Sequence, residues 1–384
     1  VLSHPVQYYS PWFRWIAAHT SVPLRVFYLW DAGVKPVLDP QFGHTFAWDV
    51  DLLSGYEHEF VPNTARRPGS DRFGGLRNPD LPARLEAWKP DAVMLFGYNY
   101  ASHLRTILWA RMTGRPLIFR GDSHLLGRQK LPWTKRIALP LLYRQFSAFA
   151  CVGTANCDYF RFFGVPEKKL FAVPHCVDST RFTATPAIHQ EANRLRATLG
   201  IEGKHIVLFA GKLVPAKQPR ELLAAFIELA PTDAALVFVG DGEERTTLEG
   251  LASAHPRLPI RFLPFANQSE MPVRYLLADL FALPSRGHYE TWGLAVNEAM
   301  HLGVPCLVSD RVGCQRDLVT NGETGWVFDP DQPGALTSAL RRALADCEKL
   351  SGFRARVATR IAGYTYETAT AGLLRALSSL FPSS

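Results

Sequence analysis

What this 384-residue chain lacks narrows its class before any motif is read. No uninterrupted apolar run reaches the ~20 residues of a spanning helix, and the best candidate, 137–143, is stopped by Arg144 and Gln145. The six cysteines (151, 157, 176, 306, 314 and 347) have no Cys-x-x-Cys spacing and lie mostly in apolar runs. That argues against a zinc site or disulfide frame and for reduced, buried thiols in a cytoplasmic protein. Short repeats and low-complexity tracts are absent, and only 20% of residues are charged against 47% hydrophobic, which excludes wholesale disorder. The net charge of +7 comes without zinc-finger spacing, an RNP-like aromatic motif or a basic tail, so nucleic acid is not an expected partner.

The positive charge is unevenly spread. Arg105, Arg111, Arg115, Arg120, Arg128, Lys130, Lys135, Arg136 and Arg144 fall between 101 and 150, with Asp122 as the sole acid. A solvated basic face fits this pattern, and so does attraction to anionic lipid headgroups or an anionic acceptor at the inner face of the cytoplasmic membrane.

The length favours two domains. Short apolar runs separated by helix-length segments predict strands at 23–30, 91–97, 116–121, 148–153 and 170–175, then at 205–211, 234–240, 260–265, 280–285, 305–310 and 325–328. Most are continuous rather than alternating, the pattern of strands covered on both faces. Val1-Leu2-Ser3 reads as the end of a buried strand, so a few residues are expected to precede it. The fold class is α/β, two doubly wound Rossmann-like domains, with a boundary near Asp178: 1–178 and 179–364.

The most informative stretch is Ser285-Arg-Gly-His-Tyr-Glu-Thr-Trp-Gly-Leu-Ala-Val-Asn-Glu-Ala-Met300. It follows a buried strand and runs into a helix at 293–301, placing Glu290 and Glu298 around a strand's carboxyl end, where open α/β sheets bind ligands. The N–H groups of Gly293, Leu294 and Ala295 would open that helix and suit a phosphate. After the strand at 205–211 comes a turn with Gly211, Lys212 and Lys217, two cations able to clamp a diphosphate.

With Ala299-Met300 and Gly303-Val304-Pro305 following the paired glutamates, the chain resembles the retaining glycosyltransferases of family four, which have the GT-B architecture and a Glu-x7-Glu motif. The resemblance is strong from about 151 to 374. It implies two domains facing across a cleft, a last segment, 365–384, that returns to the first domain, and a diphosphate held by Lys217 and by Lys212. Lys212 stands where the family has arginine, and Gln218 where it has glycine. It implies a nucleobase seat near Phe265 in the loop 264–268, the family's Gly-Asp-Gly turn at Val239-Gly-Asp-Gly-Glu243, and structural turns at 310–319 and 321–325.

In the first domain the family's paired glycines are replaced by His4-Pro-Val-Gln-Tyr-Tyr-Ser-Pro11, so His4, Gln7 and Tyr8 are candidates for donor or acceptor contact, or parts of a packed loop. Asn99 and Tyr100 are further cleft candidates. Asp122 and His124 are candidates for sugar or acceptor contact and catalysis, with a helix N-cap as the competing role for Asp122.

The implied activity is retaining, metal-independent transfer from a nucleotide-diphosphate sugar, a UDP-sugar favoured over a GDP-sugar, to a saccharide, lipid-linked or small-molecule acceptor in glycan or glycoconjugate biosynthesis. No metal and no cofactor beyond that co-substrate are expected. A nucleotide-sugar epimerase of the same architecture and a non-catalytic sugar-nucleotide binder are the competing readings.

Overall fold

The computed structural model describes the chain except residues 35–36, 40–43, 128–129, 288, 347–349 and 382–384. Arg128, His288, Cys347 and the tip of the 365–384 segment therefore lie outside the described residues.

The first lobe runs α1 (Ser10–His19), β1 (Arg25–Tyr28), β2 (Val37–Asp39), β3 (His44–Phe46), β4 (Glu57–Phe60), α2 (Leu81–Trp88), β5 (Val93–Phe96), α3 (Ala101–Thr113), β6 (Leu117–Gly121), α4 (Trp133–Tyr143), β7 (Ala148–Cys151), α5 (Thr154–Phe162) and β8 (Leu170–Ala172). The second runs α6 (Pro186–Leu199), β9 (His205–Ala210), α7 (Pro219–Leu229), β10 (Ala234–Val239), α8 (Arg245–Ser253), β11 (Ile260–Leu263), α9 (Met271–Leu276), β12 (Leu280–Leu283), α10 (Leu294–His301), β13 (Cys306–Ser309), α11 (Gln315–Leu318), β14 (Gly325–Phe328), α12 (Ala335–Ala345) and α13 (Leu350–Ile361), and α14 (Tyr366–Leu380) ends the chain.

All eleven strands read from apolar runs are present, most of them shorter than read. The trimmed residues at the carboxyl ends, such as Gly211, Gly240 and Ser285, leave the sheet to build loops. Three strands were not anticipated. β4 carries Glu57 and Glu59 and is only partly buried, because it sits at an edge beside β1. β2 and β3 form a small antiparallel pair.

The second sheet is wholly parallel in the order β11-β10-β9-β12-β13-β14, reversing direction of winding between β9 and β12. Every residue of β10 and β12 is buried, as their unbroken apolar sequences require. In the first lobe β5-β6-β7-β8 are parallel, and β1 pairs with β4. Residues 1–2 stitch these together: Leu2 bridges Tyr28, and the Phe96 N–H donates to the Val1 carbonyl at 3.2 Å. The switch in winding thus falls beside residues 1–2, as it does at β9 in the other lobe, and the two switch points supply the loops of the cleft.

α14 packs against β7, β8 and α1, so the chain's final helix covers the first lobe. Its approach is close: a Cβ at Gly372 would stand 1.9 Å from the Ala172 carbonyl oxygen. Thr370 accepts the Trp12 indole N–H at 2.9 Å. Nearby, Arg120 is buried, donates to the Val173 carbonyl at 2.7 Å and lies over the Trp12 and Tyr9 rings.

Several contacts clasp the lobes together. Asp317 accepts from the Thr154 N–H and hydroxyl, Arg316 pairs with Asp158 at 2.7 Å, and the Asn297 amide donates to the His175 carbonyl at 3.2 Å. Cys151, Cys176, Cys306 and Cys314 are free and buried, and Cys157 is half-buried. Among the described residues, no helix is long and apolar enough to cross a membrane.

Candidate active site

A cavity of about 500 Å³ lies between the lobes. Its floor is made by the loops at the carboxyl ends of β9 and β12, the position that the strand order singles out for ligand binding. Gly211, Lys212 and Lys217 line it from the first of these loops, and Glu290 to Ala295 from the second.

The two loops meet at an ion pair. Lys217 Nζ stands 2.7 Å from Glu290 Oε2, with both side chains largely buried, and the Ser285 hydroxyl donates to the same oxygen at 3.2 Å. Lys217 is carried by a single 3₁₀ turn, Pro215–Lys217, and the next residue, Gln218, takes the left-handed conformation at φ 54°. That is the position where a glycine was expected. The glutamine meets the same backbone demand at the usual steric cost of a residue with a Cβ.

The Glu290 loop is pinned from beneath. The N–H groups of Gly313 and Cys314 donate to the carbonyls of Glu290 and Trp292 at 3.1 and 2.8 Å. A Cβ on Gly313 would fall 1.8 Å from the Thr291 carbonyl oxygen, so this crossing requires glycine. The segment read from sequence as a structural turn is the platform under the candidate site.

Glu298 lies one turn into α10 and is 2% exposed. The Tyr275 hydroxyl donates to its Oε2 at 2.7 Å, while Oε1 has no hydrogen-bond partner among the described residues. Burial pushes this carboxyl up to about 7, against the opposing pull of Tyr275, Tyr8, Gln268 and Arg181. A buried carboxyl with a spare acceptor on a cavity wall is suited to take hydrogen bonds from a ligand's hydroxyls.

Tyr8 reaches the cavity from the first lobe and stands beside Glu298; burial and then Glu298 raise its hydroxyl well above the ordinary value. Asp122 also lines the cavity and accepts from the Thr291 hydroxyl at 2.7 Å. The next helix, α4, begins only at Trp133, so Asp122 caps no helix. His124 is buried away from the cavity wall. Its Nδ1 accepts the Leu126 N–H at 3.1 Å, which leaves Nε2 to donate to the Glu290 carbonyl at 3.2 Å. It braces the Glu290 loop from across the cleft.

Phe265 lines the cavity, and its N–H donates to Asp241 Oδ2 at 2.8 Å, with Arg245 holding the other oxygen of Asp241. The Gly-Asp-Gly turn thus fixes the loop at 264–268. The remaining candidates fall outside the lining. His4 packs edge-on against Trp30 beside the Ser3 hydroxyl, Gln7 is buried behind Tyr8, and Asn99 is exposed.

Tyr9, Trp48, His175, Gln268, Tyr275 and Thr291 also line the cavity without having been singled out. No Asp-x-Asp metal pair is expected from the sequence; two such spacings do occur, and both are already committed. Asp329 and Asp331 bind Arg311, with Asp331 also taking Arg286, whereas Asp49 accepts from Ser269 and Asp51 from the Leu53 and Ser54 N–H groups. Among the described residues, no group of three or more His, Cys, Asp or Glu is arranged to hold a metal.

Two Rossmann-like lobes, each with a winding switch opening onto one cleft, define the GT-B class of fold. The overall course is similar to HepE of Anabaena solved with UDP (TM-score 0.73, 18% identity, covering 98% of this chain and 99% of that one). It is also similar to sucrose-phosphate synthase of Thermosynechococcus elongatus (TM-score 0.72, 19% identity, covering 100% and 96%). Residues 191–359, less than half of the chain, match the family model for glycosyl transferases group 1.

Among curated relatives, it is 30% identical over 249 residues to the GDP-mannose-dependent alpha-(1-6)-phosphatidylinositol monomannoside mannosyltransferase of Mycolicibacterium smegmatis, covering 62% of this chain and 63% of the relative. It is 31% identical over 175 residues to the sulfoquinovosyl transferase of Arabidopsis thaliana, covering 45% and 32%. The matched part thus spans less than two thirds of either relative.

Proposed function

We propose that this chain is a retaining glycosyltransferase that moves a sugar from a nucleotide-diphosphate sugar to a saccharide, lipid-linked or small-molecule acceptor. The observation that carries the reading is the Lys217–Glu290 contact at a winding switch. A cation suited to a diphosphate and a carboxylate suited to sugar hydroxyls stand 2.7 Å apart, so their ligands must join where they meet, at the bond between the anomeric carbon and phosphate.

In this reading residues 179–364 hold the donor, and residues 1–178, with 365–384, present the acceptor. Lys217, Lys212 and the N–H groups of Gly293, Leu294 and Ala295 neutralise the diphosphate, Gly211 lets it approach, and Glu298 and Phe265 seat the nucleoside. The acceptor oxygen forms a bond to the anomeric carbon as the carbon–phosphate oxygen bond breaks. The bonding pair leaves with the β-phosphate, which accepts the acceptor's proton on the same face, so configuration is retained. Charge builds on the phosphate, and preorganised cations and amides there lower the barrier without a metal. Glu290 orients the sugar, Asp122 and Tyr8 face the incoming acceptor, and His124 positions the Glu290 loop.

The solved relative with UDP supports a UDP-sugar, while the curated mannosyltransferase uses GDP-mannose. A thermal-shift series with UDP, GDP, ADP, UDP-glucose and GDP-mannose separates them. A true donor at ~100 times its Kd adds about 2.7 kcal/mol of stability. Indifference to all five would sink the reading. Placement in the cytoplasm at the inner membrane face belongs to the same proposal.

A further inference from the structure

Twelve large apolar side chains are exposed among the described residues, and six of them lie on just two helices. On α3 these are Leu104, Leu108 and Met112, and on α4 Trp133, Ile137 and Leu141. Each set repeats every four residues, so each forms one stripe along its helix. Met112 and Trp133 are 72% exposed, and Ile137 and Leu108 are 57% and 56% exposed. A helix face in water ordinarily carries polar residues at such positions.

The two stripes are neighbours. α3 and α4 are successive crossovers between β5, β6 and β7, which run in one direction across the sheet, so both helices lie on the same face. Arg111 Nη1 on α3 reaches Gln145 Oε1 beyond the end of α4 at 3.4 Å.

The charge carried by α3 and α4 themselves has one sign, although the exposed Glu86 of α2 accepts from the Trp109 indole on α3 at 3.2 Å. Arg105, Arg111, Lys135, Arg136 and Arg144 are exposed around the stripes, and the only acid between 101 and 150, Asp122, faces the cleft instead. A second copy of the chain would bring cations against cations. A surface that is apolar beneath and anionic at its rim satisfies both features.

We propose that the outer face of α3 and α4 docks the first lobe on an anionic phospholipid bilayer. The apolar stripes enter the headgroup region, Trp133 sits at the interface, and the basic residues meet lipid phosphates. Both helices begin at the carboxyl ends of their strands, so the docked face starts at the rim of the cleft. The docking stands apart from the chemistry; that the acceptor is then lipid-anchored rests on the transfer reading.

The test is sedimentation of the full chain with vesicles of phosphatidylcholine alone or mixed with phosphatidylglycerol, read without any donor. Binding to the mixed vesicles at least about tenfold tighter, weakened by added salt, is the expected result. The double variant Leu108→Glu/Ile137→Glu should lose at least about tenfold of that binding, and Arg105→Glu/Lys135→Glu should do the same through charge alone. Both should keep the wild-type melting temperature and response to nucleoside diphosphates, which tests the transfer reading separately. The proposal is overturned if anionic vesicles are bound no better than neutral ones, if both variants bind like wild type, or if light scattering shows a dimer that Leu108→Glu/Ile137→Glu splits.

Discussion

At the smallest scale, Lys217 and Glu290 each hold the other in place while facing the same cavity. Replacing Lys217 by alanine should lower kcat at least about a hundredfold, the usual loss when one preorganised donor to a developing anion is removed. Circular dichroism and melting should show the fold retained, and near-normal turnover would take Lys217 out of the site. Glu298 gives a pH signature. Its native carboxyl titrates near 7, above the ordinary 4.5, so the native state holds the extra proton between those values. The stability tied to it is fully present below the lower value and is lost as pH rises through the upper one, by up to roughly 3 kcal/mol. Glu298→Gln should remove that loss, so urea unfolding of variant and wild type at about pH 5 and about pH 8 should give a stability difference that moves in the variant's favour as pH rises. A constant difference would contradict the assigned titration.

The residues legible in the sequence were those whose type is unusual for its place: two lysines on one short turn and two glutamates around an apolar junction. Thr291, Gln268, Tyr275 and His175 are ordinary residues brought to the cavity by the packing of α9 and the contact between lobes, and nothing local marks them. His124 was legible as a polar residue near the cleft, but its part depends on a carbonyl 166 residues away.

Among elements, α14 is the most exacting. Its glycine at 372 lets the helix approach β8, and a Cβ there would meet the Ala172 carbonyl oxygen at 1.9 Å. Gly372→Val should cost about 1–3 kcal/mol, as overpacking of a tight contact does, read as a lower melting temperature. A variant as stable as wild type would mean that the helix can shift freely. The strands were legible because they are continuous apolar runs. β4 was not, because an edge strand with one partner tolerates Glu57 and Glu59, which break the pattern that marked the others.

For the whole molecule, the lobes meet through polar clasps around a wide cavity. Asp317 accepts from both the N–H and the hydroxyl of Thr154 across the divide. Asp317→Ala should loosen closure: small-angle scattering should show a larger radius of gyration, and turnover should fall while stabilisation by a nucleoside diphosphate persists. An unchanged radius would show that the clasp does not hold the cleft. The two-lobed plan was legible from the doubled series of strands, whereas these clasps join residues over 120 positions apart and leave no local trace.

The return of α14 to β7 and β8 also orders events during synthesis. The ribosome releases the first sheet long before it makes the helix that shields it, and at roughly 5–20 residues per second the intervening lobe takes about 10–40 s to emerge. Throughout that interval the nascent sheet keeps an oily flank open to water, a window in which a chaperone has something to hold.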